Sequence, residues 1–216
     1  MTTLDLFGDL DPGRRTRLGP QAWVLRGFAL PHLDALLPAL AGIEAVSPFR
    51  HMQTPGGFTM SAALSNCGAL GWTSDRHGYR YSPVDPGSGR AWPPMPEVFL
   101  RLASEAARAA GFELYTPDAC LINRYLPGAR MSLHQDKNER DFNAPIVSVS
   151  LGMSAIFLFG GHARTDKAAR VPLHHGDVAV WGGEDRLRYH GILPLSGPPH
   201  PQQGCQRINL TFRKAG

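Results

Sequence analysis

The chain has 216 residues, 43% of them hydrophobic, and a formal charge of +4, enough for one domain with a sizeable core and too little charge to demand a polyanionic partner. Gly 24 and Pro 19 favour many turns over long helices, and Cys67, Cys120 and Cys205 form neither a Cys-x-x-Cys pair nor an even framework, so they read as buried thiols in a reducing compartment. No apolar run approaches the ~18 residues of a membrane-spanning helix and no basic-then-apolar leader opens the chain, so a cytoplasmic protein is expected.

Residues 1–19 are polar and carry Arg14, Arg15 and Arg17; they read as a loose arm. A helix is predicted over about 31–46, with Pro31 suited to its first turn and Pro38 calling for a kink or a later start. Segment 51–95 is rich in turns and interleaves aromatics with bases: Trp72, Arg76, Tyr79, Arg80, Tyr81, Arg90 and Trp92. Aromatic faces stack on nucleobases and arginines meet phosphates, although the same aromatics would serve equally to cover a sheet. A second helix is predicted over 96–110. Pro96 starts it, Val98, Leu102 and Ala106 form one stripe, and Gly111 stops it. From Asp118 onward, short strand-like runs at 119–125, 131–135, 146–152, 155–159, 171–173, 177–181, 188–193 and 205–213 are separated by Gly and Pro. That pattern suggests a sandwich or barrel.

Two constellations carry chemistry. The first is His134-Gln135-Asp136 with a distant His190. Two imidazoles and a carboxylate are the ligand set of the facial triad that holds non-haem Fe(II) and leaves positions open. On an extended strand, residues i and i+2 share a face, so His134 and Asp136 can grip one ion while Gln135 points away. The second is Cys205 to Arg213, which alternates polar and apolar residues, the signal of a half-buried strand. Arg207, Asn209, Thr211 and Arg213 share one face; Ile208, Leu210 and Phe212 share the other. Two arginines on one face call for an anion, and their planar forks match carboxylates, although a solvated edge strand would expose the same two arginines.

Together these features resemble the Fe(II)/2-oxoglutarate oxygenase superfamily, and within it the AlkB family of alkylation-repair dioxygenases. The resemblance extends in order through Thr54-Pro-Gly-Gly57, Gly71-Trp72, Asn123-Arg-Tyr125-Leu-Pro-Gly128, Leu133 to Lys137, Pro145 to Gly152, His175 to Val178, Val180 to Gly183, Tyr189-His190-Gly191 and Arg207 to Arg213. It covers roughly residue 20 to the end. It implies an α+β, mainly β fold in a single domain. N-terminal helices and a nucleotide-recognition lid at about 51–95 would precede a double-stranded β-helix (jelly-roll) core at about 118–216.

The resemblance also implies roles. Fe(II) would be held by His134, Asp136 and His190, the last in a Tyr-His-Gly block like the family's distal ligand. The distal carboxylate of 2-oxoglutarate would meet Arg207, Tyr125 and Asn209, with Asn123 and Arg213 at its metal-proximal end and O2 at the remaining position. Trp72, Tyr79, Asn138 and Arg164 would contact the substrate nucleotide. The implied reaction is oxidative demethylation of bases such as 1-methyladenine and 3-methylcytosine, releasing formaldehyde. The implied partner is alkylated DNA, preferably single-stranded, with RNA as a second polymer, and a monomer is expected. One residue departs from the family pattern. The second position after the metal Asp is Asn138, where the bacterial archetype has a second Asp; an amide carries no charge to attract a cationic base. A related oxygenase acting on a protein side chain or small molecule would keep the triad and both arginines without the aromatic-basic segment. A non-catalytic cupin-like metal-binding module would need neither arginine.

Overall fold

The computed structural model describes residues 12–216. Residues 1–11 of the expected arm lie outside the described residues, and the rest of that arm is not loose. Arg15–Gly19 is strand β1, paired antiparallel with β2 (Ala22–Leu25). Its polar sequence hides it, because its support is a ladder and a tryptophan: Arg15 and Arg17 lie 4.5 and 5.6 Å from the Trp23 ring, within cation–π range. The first helix, α1 (Leu33–Val46), follows a 3-10 turn at Leu30–His32. It starts two residues after Pro31 and keeps Pro38 inside, so the chain does not wait for Pro38 to pass.

Segment 51–95 is more ordered than its turns suggest. It holds β3 (Ala63–Gly68) and a hairpin of β4 (Gly71–Asp75) and β5 (Gly78–Ser82). Helix α2 (Glu97–Ala109) ends as expected. Gly111 has φ +94, its N–H donates to the Arg108 carbonyl at 2.9 Å, and the Phe112 N–H donates to that of Ala107 at 2.9 Å, the two bonds of a Schellman stop. The remaining strands are β6 (Ala119–Tyr125), β7 (Met131–His134), β8 (Ile146–Gly152), β9 (Ala155–Phe159), β10 (Ala169–Leu173), β11 (Val178–Trp181), β12 (His190–Ile192) and β13 (Arg207–Arg213).

A seven-stranded sheet runs in the order β1-β2-β11-β8-β13-β6-β3 and a four-stranded sheet in the order β10-β9-β12-β7. Strands from before residue 118 therefore complete the large sheet, and the sandwich is not confined to 118–216. The alternation of β8 and β13 decides what covers each face. Val147, Val149 and Leu151 join Ile208, Leu210 and Phe212 beneath α1 and α2 in one apolar cluster, where Phe99 of α2 meets Phe212 edge-on at 5.8 Å. The opposite face packs on the small sheet: Val24, Ile146, Ala179 and Trp181 against Phe157, Phe159, Val171, Leu173 and Ile192. Among the described residues no helix is long and apolar enough to cross a membrane.

The small sheet carries one irregularity. His190 pairs with His134, but Ile192 pairs with Met131, so β7 spends an extra residue there, as in a bulge. Gly191 lets the strands approach: a Cβ at this position would lie 2.7 Å from the Met131 carbonyl oxygen and 3.2 Å from the Leu133 nitrogen. Gly191→Ala is expected to push β12 away from β7 and lower stability by about 1–3 kcal/mol, the usual cost of overpacking. The check is the urea midpoint at unchanged slope; an unaltered midpoint would mean that the strands yield without cost.

Candidate metal centre

The cross-strand pairing of β7 with β12 sets His134 and His190 side by side, with ring centroids 4.4 Å apart. Asp136 joins them: its Oδ1 lies 3.7 Å from His134 Nε2 and its Oδ2 lies 3.6 Å from His190 Nε2. One ligand atom from each of the three lies within 4.8 Å of the others. The expected strand placement of Asp136 is corrected here, since β7 ends at His134. Gln135 does point elsewhere, donating to the Leu187 carbonyl at 2.6 Å. Asp136 is held instead by Arg213, whose Nε and Nη2 both donate to Oδ2, at 2.9 and 2.7 Å.

The protonation states suit a cation. His134 Nδ1 faces the Ser132 carbonyl at 2.9 Å and His190 Nδ1 faces the Arg188 carbonyl at 3.0 Å. Each contact places a proton on Nδ1, so that in the neutral ring it is the Nε2 lone pair that faces the metal position. Burial, and next the neighbouring His190, pushes the His134 imidazole down to about 4, so it stays neutral near pH 7. Burial works to raise the Asp136 carboxyl, but Arg213 and then the two imidazoles outweigh it and hold it well below the usual carboxylate range. The centre therefore offers two lone pairs and one negative charge.

A cleft between the sheets joins this centre to β13. It is lined by Asn123, Tyr125, His134, Arg207, Asn209 and Arg213, among others. The four polar residues of β13 share this face, as the alternation predicts, but they differ in partners. Asn209 donates to Ser148 Oγ at 2.8 Å and to the Val149 carbonyl at 3.0 Å, while Thr211 donates to Asn209 Oδ1 at 2.9 Å. Arg213 is paired with Asp136. Arg207 is 1% exposed and lies over the Tyr125 ring at 5.2 Å. Its Nη2 donates to Ser150 Oγ at 2.9 Å, but its Nε and Nη1 are buried without a partner. Burial works against its charge and lowers its basicity. A buried guanidinium with a serine and a tyrosine beside it but no carboxylate is costly unless an anion meets it. Asn123 Oδ1 is likewise buried without a partner. The donor set fits a small acid that reaches both Arg207 and the metal.

The residues singled out for a nucleotide divide. Trp72 and Tyr79 stack on each other at 5.5 Å and 16°, and Trp72 Nε1 donates to Asn138 Oδ1 at 3.4 Å. These three form one patch, with Tyr79 45% exposed. Arg164 is exposed on the β9–β10 loop, and among the described residues no hydrogen bond or ion pair joins it to that patch. Tyr81 and Trp92 are taken up in structure: Tyr81 donates to Glu139 Oε1 at 2.6 Å, and Trp92 is buried with its Nε1 on the Ser82 carbonyl at 2.9 Å. Sequence reasoning missed Glu139, Arg186, Ser148, Ser150 and Trp181. The serines were visible as the polar face of β8, but nothing marks Glu139 or Arg186 among ordinary surface charges.

A family model for the 2OG-Fe(II) oxygenase superfamily matches residues 22–213. The chain is 56% identical over 212 residues to the alpha-ketoglutarate-dependent dioxygenase AlkB of Salmonella typhimurium LT2, covering 98% of each chain. It is 32% identical over 171 residues to the DNA N(6)-methyladenine demethylase ALKBH1C of Arabidopsis thaliana, covering 67% of this chain and 38% of that protein. The solved structure of OsALKBH1 superposes with a TM-score of 0.80 at 28% identity, over 93% of this chain and 100% of that one. With a triad of the right ligands, a cleft that wants an acid and near-full-length similarity, this chain belongs to the AlkB family of Fe(II)- and 2-oxoglutarate-dependent dioxygenases.

Proposed function

We propose that the protein removes methyl groups from N-alkylated bases, of the 1-methyladenine and 3-methylcytosine type, in nucleic acid. Single-stranded DNA is the preferred substrate and RNA a second one, and the enzyme acts as a cytoplasmic monomer. The observation that carries the reading is a buried Arg207 that no carboxylate neutralises among the described residues, in the same cleft as His134, Asp136 and His190.

Fe(II) held by His134, Asp136 and His190, with 2-oxoglutarate and O2, supplies the oxidation that converts an N-methyl to an N-hydroxymethyl group while the cosubstrate becomes succinate and CO2. The N-hydroxymethyl base then loses formaldehyde. The chain's own part is placement. Arg207, with Tyr125 and Asn209 beside it, receives the distal carboxylate, and Asn123 and Arg213 border the metal-proximal end. Arg213 also steadies the ligand carboxylate. The β4–β5 hairpin serves as the nucleotide-recognition lid. Trp72 and Tyr79 offer it a stacking face, Asn138 an amide edge, and Arg164 a positive charge from the β9–β10 loop. A methylated, unpaired base costs little to bring out of its stack.

The direct test is mass spectrometry of an oligonucleotide carrying 1-methyladenine, incubated with protein, Fe(II), 2-oxoglutarate and ascorbate. Loss of the methyl group with equal yields of succinate and formaldehyde is expected. Succinate production with an untouched oligonucleotide would move the substrate to another class of molecule. Arg207→Ala is expected to weaken 2-oxoglutarate binding by about 2–3 kcal/mol, roughly 30- to 150-fold, since a charged partner is lost. Calorimetry in the presence of Mn(II) reads this, and an unchanged dissociation constant contradicts the assignment. Asn138→Asp is expected to raise kcat/KM several-fold on 1-methyladenine relative to neutral 1-methylguanine. A carboxylate would retain the acceptor for Trp72 and add charge near a cationic ring. Equal loss on both lesions would assign Asn138 to local structure instead.

A further inference from the structure

The two arginines that hold Asp136 are themselves held by a second carboxylate. Arg213 bonds the Asp136 side chain, and Arg186 Nη1 donates to the Asp136 backbone carbonyl at 2.8 Å. Both converge on Glu139: Arg186 Nη2 donates to its Oε2 at 3.1 Å, and Arg213 Nε lies 3.4 Å from its Oε1. The Glu139 side chain is 2% exposed. Its remaining partner comes from another element, the Tyr81 hydroxyl of β5 at 2.6 Å.

Asp136 needs such support because β7 stops at His134 and no ladder bond reaches it. The charges balance as two carboxylates against two guanidinium groups. Without Glu139 the cluster would carry an excess positive charge beside the place where a divalent cation binds. In a buried site that repulsion is weakly screened. Arg213 would also lose one of its two anchors and could turn away from Oδ2.

We propose that Glu139 is a positioning residue with two duties: it holds Asp136 in place through Arg213 and Arg186, and it seats the β4–β5 hairpin through Tyr81. The inference rests on the reading of His134, Asp136 and His190 as the metal site. Metal loading and hairpin seating then draw on the same buried carboxylate, and each favours the other, as linkage requires.

The test uses Mn(II) as the probe. Calorimetry measures its affinity in the parent, Glu139→Gln and Tyr81→Phe, with urea midpoints to establish that each is folded. Trypsin cleavage after Arg76, exposed in the β4–β5 turn, reports hairpin seating with and without Mn(II). Glu139→Gln is expected to weaken Mn(II) binding by at least about tenfold, as loss of a supporting partner does in metal sites. In the parent, Mn(II) should slow cleavage after Arg76. Tyr81→Phe keeps every charge but cuts the link to the hairpin, so that protection should disappear and its Mn(II) affinity should fall by no more than the parent's protection factor, less than in Glu139→Gln. This second variant makes the test independent of whether Glu139→Gln folds. Parent-like Mn(II) affinity in folded Glu139→Gln, or parent-like protection in Tyr81→Phe, overturns the inference alone. A parent that binds no Mn(II) overturns the metal reading and this inference with it.

Discussion

Arg207, Asn209, Thr211 and Arg213 stand on one face of β13, and that face is buried between two sheets. A polar group taken from water must find a partner or pay in stability, and this constraint organises the molecule. β8 answers it with Ser148 and Ser150, which accept from Asn209 and Arg207. The segment after β7 answers it with Asp136 and Glu139, which meet Arg213. What is left unmet, on Arg207 and on Asn123 of the neighbouring β6, lines the cleft. The need for a ligand is thus written into the partner list of one strand. The other face of β13 is wholly apolar and lies under the helices, so the strand can be central only if both kinds of cover are present.

The metal centre is assembled by two different forces. Strand pairing places the histidines, and it does so through a bulge that glycine at 191 permits. Electrostatics places the carboxylate, because Asp136 has no ladder to hold it. The two imidazoles are oriented by backbone carbonyls at Ser132 and Arg188, groups that every sequence supplies at no chemical cost. Preorganised tautomers mean that little rearrangement is needed when a cation arrives. The arginine clamp has the further effect of keeping Asp136 ionised in surroundings that would otherwise favour its neutral form.

The aromatic-basic segment is sorted by its partners rather than by its composition. Trp92 is spent on covering Gly71, where a Cβ would lie 2.3 Å from the indole. Tyr81 is spent on Glu139, and Arg80 on Asp75 at 2.7 Å. Trp72 and Tyr79 keep one face each on the other, and the edge of Trp72 donates to Asn138. A stacking pair of this kind is the part of the hairpin suited to an aromatic ligand.

Sequence alone determined the strands of the sandwich from residue 119 onward, because alternation and Gly/Pro punctuation are local signals, and the sharp end of α2, because a glycine stop is local too. It also determined the triad and the two-arginine face, through residue type and through resemblance to a family. It missed β1 to β5, whose residues are ordinary until a neighbouring strand pairs with them. It placed Asp136 on a strand that ends two residues earlier, and it could not tell which arginine of β13 was already neutralised. Tertiary structure alone decided that Arg213 belongs to Asp136, that Arg207 is left short of partners, and that Glu139 joins the hairpin to the metal ligand. The physical reason is common to all three. A charge takes its meaning from the other charges buried with it, and residues 81, 136, 139, 186 and 213 become neighbours only when the sheets close.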